Sequence, residues 1–401
     1  MFLTQKILLR LTKEQEMYLD DKSSKLNKFY NYLLSLYKNK KISIYDLANK
    51  EKAYSLVCKI RREMDYLNEF HYSTLKDVVD RLKKSISAKS LNKELPKEKK
   101  NYIKWFSIFI TNDVSIVELR KKYIIFHEKN NKEFKYELAT GVRKNNMIYN
   151  YRILKKYNVY SILLTLDVDL VIPQKNIVTS VAIDPNHKNF LMCADSNGNT
   201  FEVKNLSIIK YFFHMTDHMR SLISKTKKGS KRHIYLSKAL NRICFKREEQ
   251  IKKILYKIAH YLTDKYDCIA MGNYRPSLKN AINKNMRRVM LNESLICKFR
   301  LILQNVSKKK GVVFKDVNEY GTTKKCFKCG YDEVKDPKIR IYKCPKCGNK
   351  YNRDINSAIN IGQKGKILST QDYVGKKLLI PTYTIESNYK SNSLIVTLNQ
   401  N

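Results

Sequence analysis

No apolar run in this chain approaches the ~18 residues needed to span a bilayer. Charge also breaks into the opening segment, MFLTQKILLRLTKEQE, too early for a secretory signal. The expectation is an intracellular, soluble protein with no membrane partner. Acidic residues are scarce: 37 Asp plus Glu stand against 79 Lys plus Arg in 401 residues, a formal balance of +42. A chain so charged repels itself on compaction, so a polyanionic partner is the economical explanation, nucleic acid before an anionic membrane surface. The crowding of Lys, Asn, Ile and Tyr, all written with A/T-rich codons, offers a blander source for part of the lysine excess. Hydrophobic residues make up 43% of the chain, enough to build cores and to exclude wholesale disorder. The length suggests two or three domains.

Cysteine is also sparse, nine in all, which excludes a disulfide scaffold. Cys58, Cys193, Cys244, Cys268 and Cys297 are scattered singly and read as inert buried thiols. The other four form two CxxC knuckles, Cys326-Phe-Lys-Cys329 and Cys344-Pro-Lys-Cys347, each followed by a glycine that lets backbone amides face the sulfurs. Four thiolates make the closed tetrahedral set of a structural Zn²⁺ site and leave no position open for substrate. The residues between the knuckles, 330–343, suit a short hairpin, as in a zinc ribbon.

Residues 2–11 alternate like a strand, and Thr12-Lys-Glu-Gln15 resembles a capping box. From there to about 125 the pattern reads as helical, rich in Lys and Tyr, with a solvated linker over 92–104. Residues 147–173 read as two long strands turning at Lys155 to Asn158. At Thr179 the character changes. Strands are expected over 179–184, 188–195 and 200–204, with Ser196-Asn-Gly-Asn199 as a tight hairpin. A basic loop with Lys225, Lys227, Lys228, Lys231 and Arg232 precedes a helix whose Ile251, Ile254, Leu255, Ile258, Ala259 and Leu262 share one face. A strand over 268–271, a helix over about 285–308, a strand over 312–315 and a last helix from near Asp354 complete the series. Three antiparallel strands, a helix, a parallel strand, a helix and another strand outline an α/β, ribonuclease H-like fold. In open sheets, ligands gather at the carboxyl ends of the strands.

Three acids fall at such ends. Asp184 closes the first strand, Glu319 follows the strand at 312–315, and Asp354 stands at a helix start in Asn-Arg-Asp-Ile-Asn. Singly, each has a plain structural explanation as turn former or cap. Together they offer the oxygen ligands that hard divalent cations require, and a two-metal site would hold the attacking and leaving oxygens of a phosphodiester displacement.

The series VAIDPNHKNF, CIAMGNY, CFKCG, CPKCG and NRDINSAINIG resembles the RuvC nuclease and inserted zinc ribbon of the transposon-encoded TnpB proteins, their Fanzor relatives and the compact type V CRISPR effectors. The resemblance covers roughly residues 175–362. It implies an RNA-guided DNA endonuclease whose first and third RuvC acids, holding catalytic Mg²⁺, match Asp184 and Asp354. The family's usual second acid would fall near position 272, where this chain has Met271-Gly272-Asn273-Tyr274. Some relatives are similar in carrying a substitute shortly before the zinc ribbon, where Glu319 stands. Neighbouring strands are about 4.8 Å apart, so a Glu from one strand end can reach a position normally served from the next. Asp316, Glu293 and a dead site remain the alternatives. Arg353 is a candidate for scissile phosphate or a surface ion pair, and Tyr320, Thr322 and Thr323 match a loop that borders the substrate groove in the family.

The resemblance also implies the domain plan. Residues 1–178 would form a wedge and recognition portion, mixed β-barrel and helical: a β element from 2–11 and 147–173, with a helical insertion over 12–125. Residues 179–362 would be the RuvC-like nuclease with a zinc ribbon inserted at 322–350, and 363–401 a tail without assigned role. The partners implied are a guide RNA and a target double-stranded DNA with an adjacent motif, in the nucleus if the host is eukaryotic and otherwise in the cytoplasm. Two other functions stand beside this one: a nuclease-dead RNA-guided DNA-binding regulator, and a guide-independent zinc-ribbon DNA-binding protein or junction nuclease.

Overall fold

The structure is a computed structural model. It describes residues 2–90, 94–99, 105–111, 117–120, 122–127, 133–142, 147–168, 172–174, 176–187, 189–204, 207–274, 287, 290, 294–333, 339–388 and 393–399. The chain divides into two compact units, Met1–Asp169 and Leu170–Asn401.

The first unit opens with β1 (Phe2–Arg10), then α1 (Lys13–Lys38), α2 (Ile44–Ala48), α3 (Lys50–Glu63) and α4 (Tyr72–Ser90). The capping box is present: the Thr12 hydroxyl accepts from the Gln15 amide, and the Gln15 side chain accepts from the Thr12 amide. The helical expectation over 12–125 fails at its far end. Strands β2 (Trp105–Thr111), β3 (Val117–Leu119) and β4 (Tyr123–His127) lie there, followed by β5 (Glu133–Leu138), β6 (Met147–Lys156) and β7 (Val159–Asp167). The runs WFSIFIT and YIIFH are aromatic and β-branched, and pairing decides their state: all of β2 runs antiparallel along β6 from Trp105↔Lys156 to Thr111↔Asn150. The order is β2-β6-β7-β1-β5-β4-β3, with β1 passing from β7 (through Leu8) to β5 (from Leu9). The β6–β7 turn holds Tyr157 and Asn158 at φ 56° and 60°, the backbone a two-residue hairpin requires. In the expected linker, Asn31 exchanges two hydrogen bonds with the backbone of Lys99, while 91–93 and 100–104 fall outside the described residues.

In the second unit, β8 (Ser180–Pro185), β9 (Leu191–Asp195) and β10 (Thr200–Val203) form an antiparallel meander. Helices α5 (Ser207–Ser224) and α6 (Lys231–Lys265) lead to β11 (Cys268–Gly272), parallel to β8; α7 (Ile296–Lys310) leads to β12 (Val313–Val317), parallel to β11. This is the ribonuclease H-like order. After β13 (Ile341–Lys343), β14 (Lys350–Asn352) and α8 (Arg353–Lys364), two segments of the expected tail join the sheet. There β15 (Tyr383–Asn388) runs parallel to β10, and β16 (Ser393–Leu398) forms the edge beyond it. Helix α7 starts at Ile296; most of the earlier part of the helix expected from 285, including Glu293, lies outside the described residues, as does Lys188.

Both faces of the central strands are covered, which is why they read as unbroken apolar runs. Val181 and Ile183 of β8 join the core under α6, with Ile251, Leu255, Ile258 and Leu262; Ala182, between them, joins a second core against α8, with Ile355, Ala358 and Ile359. Each such side chain contributes roughly 1.5–3 kcal/mol on burial. The α8 layer is the one that matters for the site. It fixes one helix start against the carboxyl ends of β8 and β11.

Candidate metal centre

Asp184 is the last acid of β8 and is 7% exposed. Pro185 and Asn186 then turn the chain, the Asn186 side chain accepting from the Asn189 amide at 2.7 Å. Asp354 is the second residue of α8 and equally buried. It does not cap that helix: Asn352 does, accepting from the Asp354 amide at 2.9 Å, so the Asp354 carboxylate faces elsewhere. It meets the Arg340 guanidinium, with Arg353 Nε at 3.6 Å. One turn along α8, Ser357 donates to Asp184 Oδ1 at 3.0 Å and so ties the first acid to the helix of the third.

Glu319 lies two residues past Val317, which is paired with Gly272 in the parallel β11–β12 ladder. Its Oε1 accepts from the Tyr274 amide at 3.2 Å. A Cβ built on Gly272 would stand 2.0 Å from Glu319 Oε1 and 2.5 Å from its Cγ, so Glu319 fills the space that a side chain at 272 would need. Arg300, buried, holds that strand exit by donating to the carbonyls of Gly272 at 2.6 Å and Tyr274 at 3.0 Å. Asp316, the alternative ligand, lies 3.6 Å from the Nε of the same arginine and is half-exposed.

The electrostatics join the three acids. Burial, and then the negative charges of Glu319 and Asp354, push the Asp184 carboxyl well above the usual range, against the opposing Ser357 hydrogen bond and Arg353 charge. Burial raises Glu319 to about 7, opposed by the Tyr274 amide and Arg300. A buried carboxyl raised by two further acids beside it belongs to a donor set that a hard cation would satisfy. Among the described residues, however, the four cysteines are the one group of three or more such side chains whose ligand atoms all lie within 4.8 Å of one another; the carboxylates are not drawn that close.

The cysteine sulfurs have zinc geometry. Cys326 and Cys347 Sγ are 3.7 Å apart and Cys329 and Cys344 Sγ 3.6 Å; a tetrahedron with Zn–S bonds of about 2.3 Å has edges of about 3.8 Å. Gly330 and Gly348, at φ 72° and 70°, turn each knuckle, and their amides donate to the carbonyls of Cys326 and Cys344. Strand pairing flanks each knuckle, Lys325 with Asp332 and β13 with β14, while 334–338, in the middle of the expected hairpin, lie outside the described residues. The first knuckle is fastened to α8. Asn356 accepts from the Phe327 amide and donates to the Lys325 carbonyl, while Asn360 donates to the Thr322 and Lys325 carbonyls at 2.8 Å. Thr322 in turn donates to the Glu319 carbonyl at 2.9 Å, and its oxygen lies 3.1 Å from that of Ser357. Tyr320 stands 81% exposed beside this junction. Sequence reasoning missed Ser357, Asn356, Asn360 and Arg340; the first three stand in NRDINSAINIG, spaced so that helix periodicity turns them toward the knuckle and Asp184.

Two family models match the chain: residues 161–274 match one described as a probable transposase, and residues 297–361 match the Cas12f1-like TNB domain. The first stretch contains Asp184 and β11, the second Glu319, the four cysteines and Asp354. The TnpB-like protein L79 of Acanthamoeba polyphaga mimivirus is 30% identical over 196 residues, covering 46% of this chain and 37% of that one. The matched part of the chain is thus similar to TnpB-like and transposase sequences. The putative transposase R186 of the same virus is 33% identical over 227 residues, 53% of this chain and 45% of R186, so the chain spans less than half the length of these relatives. Among solved structures, the Cas12f1–sgRNA–target DNA complex is similar in fold, with TM-score 0.59, 16% identity and coverage of 87% of this chain and 83% of that one. Among the described residues, no helix is long and apolar enough to cross a membrane.

Proposed function

We propose that this chain is a TnpB-family RNA-guided DNA endonuclease that hydrolyses phosphodiesters of a target DNA, with Asp184, Glu319 and Asp354 holding Mg²⁺. The observation that carries the reading is the seat of Glu319: its carboxylate lies over Gly272, the position of the missing acid, and its charge is felt at Asp184. Bound divalent cations would supply Lewis acidity and a water activated for in-line displacement. The chain's own residues supply placement. Ser357 orients Asp184, the Tyr274 amide holds Glu319, and Asn352 takes the capping duty that would otherwise turn Asp354 away. Zn²⁺ in the four-cysteine site would set the separation of Glu319 and Asp354, which flank it in sequence. The first unit, with its interleaved Lys and Tyr, would hold a guide RNA through phosphate, 2′-OH and stacking, and with the target-adjacent motif read by protein, guide pairing would choose the sequence. In a eukaryotic host the site of action would be the nucleus.

One observation favours a second reading. The guanidinium of Arg340 lies on Asp354, where a cation would otherwise compensate that charge. In a nuclease-dead, RNA-guided DNA-binding regulator such a pair would be permanent. The two readings separate on one experiment: the protein is purified with its co-purifying RNA, the RNA sequenced, and a matching plasmid added with Mg²⁺. Cleavage lost on Asp184→Ala supports the endonuclease; binding without cleavage under any divalent ion supports the regulator; absence of a discrete RNA defeats both.

A further inference from the structure

Between residues 218 and 247 the chain carries ten Lys and Arg and no Asp or Glu, so thirty residues hold +10 of the +42. The structure makes this stretch an arm. It runs from the end of α5 through a turn and into the first half of α6. From Ile251 onward α6 packs on the sheet, whereas over 231–250, about 30 Å of helix, the buried residues are Leu236 and Cys244. The turn is built rather than loose: the Thr226 hydroxyl donates to the Ile223 carbonyl, the Ser230 amide to the Lys227 carbonyl, and Ser230 caps α6 by accepting from the His233 amide.

Along the exposed side of α6, Lys231, Tyr235, Lys238, Arg242 and Lys246 succeed one another at steps of four, three, four and four residues, a single stripe on one helix face. Adjacent members are about 5–6 Å apart along the axis, and the whole stripe spans about 22 Å. Its one aromatic member, Tyr235, is 65% exposed. An ordinary solvated helix face mixes signs of charge; over 231–246 this one carries no acid, and Glu249 follows at its end.

We infer that the α5–α6 arm is a track for a single-stranded polynucleotide, its four cations following the phosphates and Tyr235 offering a ring to an unpaired base. A row of cations with an interposed aromatic is how proteins hold single strands without reading sequence. A paired base could not leave its stack to meet Tyr235, so the stripe favours an unpaired segment. The inference rests on the proposed function only for the kind of partner, a nucleic acid. Both an RNA strand and a displaced DNA strand carry the required chemistry.

The test uses the full chain and labelled 20-mers of one sequence as RNA, single-stranded DNA and duplex DNA, with affinity followed by anisotropy from about 50 to 200 mM salt. The variant Lys231→Gln/Lys238→Gln/Arg242→Gln/Lys246→Gln is expected to keep its zinc content and circular dichroism. Its log–log salt slope for single strands should fall by about three, at ~0.7 per cation, with affinity at 0.1 M salt about a hundredfold lower or more. Tyr235→Ala should weaken single strands about fivefold or more with the slope unchanged and leave duplex binding alone. If the fourfold variant misfolds, Lys238→Gln/Arg242→Gln should lower the slope by about 1.4. Tighter binding of RNA or of DNA names the source. An unchanged slope in the variants overturns the inference, as does a loss confined to phosphatidylserine vesicles. A parent chain that binds no polynucleotide contradicts the proposed function itself, which is a different result from a parent that binds and a variant that binds equally.

Discussion

Glu319 and Gly272 divide one space between them. A Cβ at 272 would meet Glu319 Oε1 at 2.0 Å, so the acid after β12 keeps its place only because the residue ending β11 has no side chain. The atoms it would strike are the far end of a flexible side chain, which can swing aside at small cost to the fold. Gly272→Ala should therefore fold with a melting temperature within a few degrees of the parent and lose divalent-dependent cleavage. The exchange Gly272→Glu/Glu319→Gly should recover part of it, and a plasmid assay on the three proteins checks the pair.

The zinc knuckle and the acids are joined by hydrogen bonds rather than by sequence alone. Asn356 and Asn360 clamp the carbonyls of Thr322 and Lys325, and Thr322 holds the backbone of Glu319. Cys344→Ser should release zinc, lower the melting temperature and abolish cleavage together. Asn360→Ala, which leaves two carbonyls without this donor, should cost about 1–3 kcal/mol with zinc still bound. Cleavage that survives loss of zinc, measured by metal analysis on the same sample, would break the proposed coupling.

The acids also set a pH dependence. Glu319 titrates near 7 in the folded chain against an ordinary value of 4.5, and Asp184 is raised as well, so the metal-free folded state holds more protons than the unfolded one. Stability without divalent ions should then fall as pH rises from about 4.5 through 7. Added Mg²⁺ should reverse the trend, because the cation binds the deprotonated acids. Thermal melts at pH 5, 6, 7 and 8, with and without Mg²⁺, measure both signs.

Arg340 competes with any cation for Asp354. On the endonuclease reading, Arg340→Met should lower the Mg²⁺ concentration for half-maximal cleavage about fivefold, the equivalent of ~1 kcal/mol for a partly exposed pair. On the regulator reading it changes nothing in a cleavage titration.

The second unit is the more legible because its strands are short, apolar and separated by turn chemistry, and because Asp184, the two CxxC pairs and Asp354 stand out by residue type and spacing. Strands β2, β3 and β4 sit in Lys- and Tyr-rich surroundings that suggest helix, while their state is set by pairing with one another and with β5 and β6, partners distant or ambiguous in sequence. Strand β15 was missed for the same reason: Tyr383 finds its parallel neighbour Phe201 across 182 residues. Asp354 was read as a possible cap because it opens α8, yet Asn352 had the better position. The glycine at 272 looked like a loss; only the side-chain geometry gives it a positive role.

The central claim is that Glu319 serves as the second acid of the site. Its most direct measurement is Mg²⁺-dependent cleavage of a guide-matched plasmid by Asp184→Asn, Glu319→Gln and Asp316→Asn, with target binding followed in parallel. Asp184→Asn and Glu319→Gln are expected to bind target but cleave about a hundredfold more slowly or worse, while Asp316→Asn stays close to the parent. Full-rate cleavage by Glu319→Gln, beside an inactive Asp184→Asn, would contradict it.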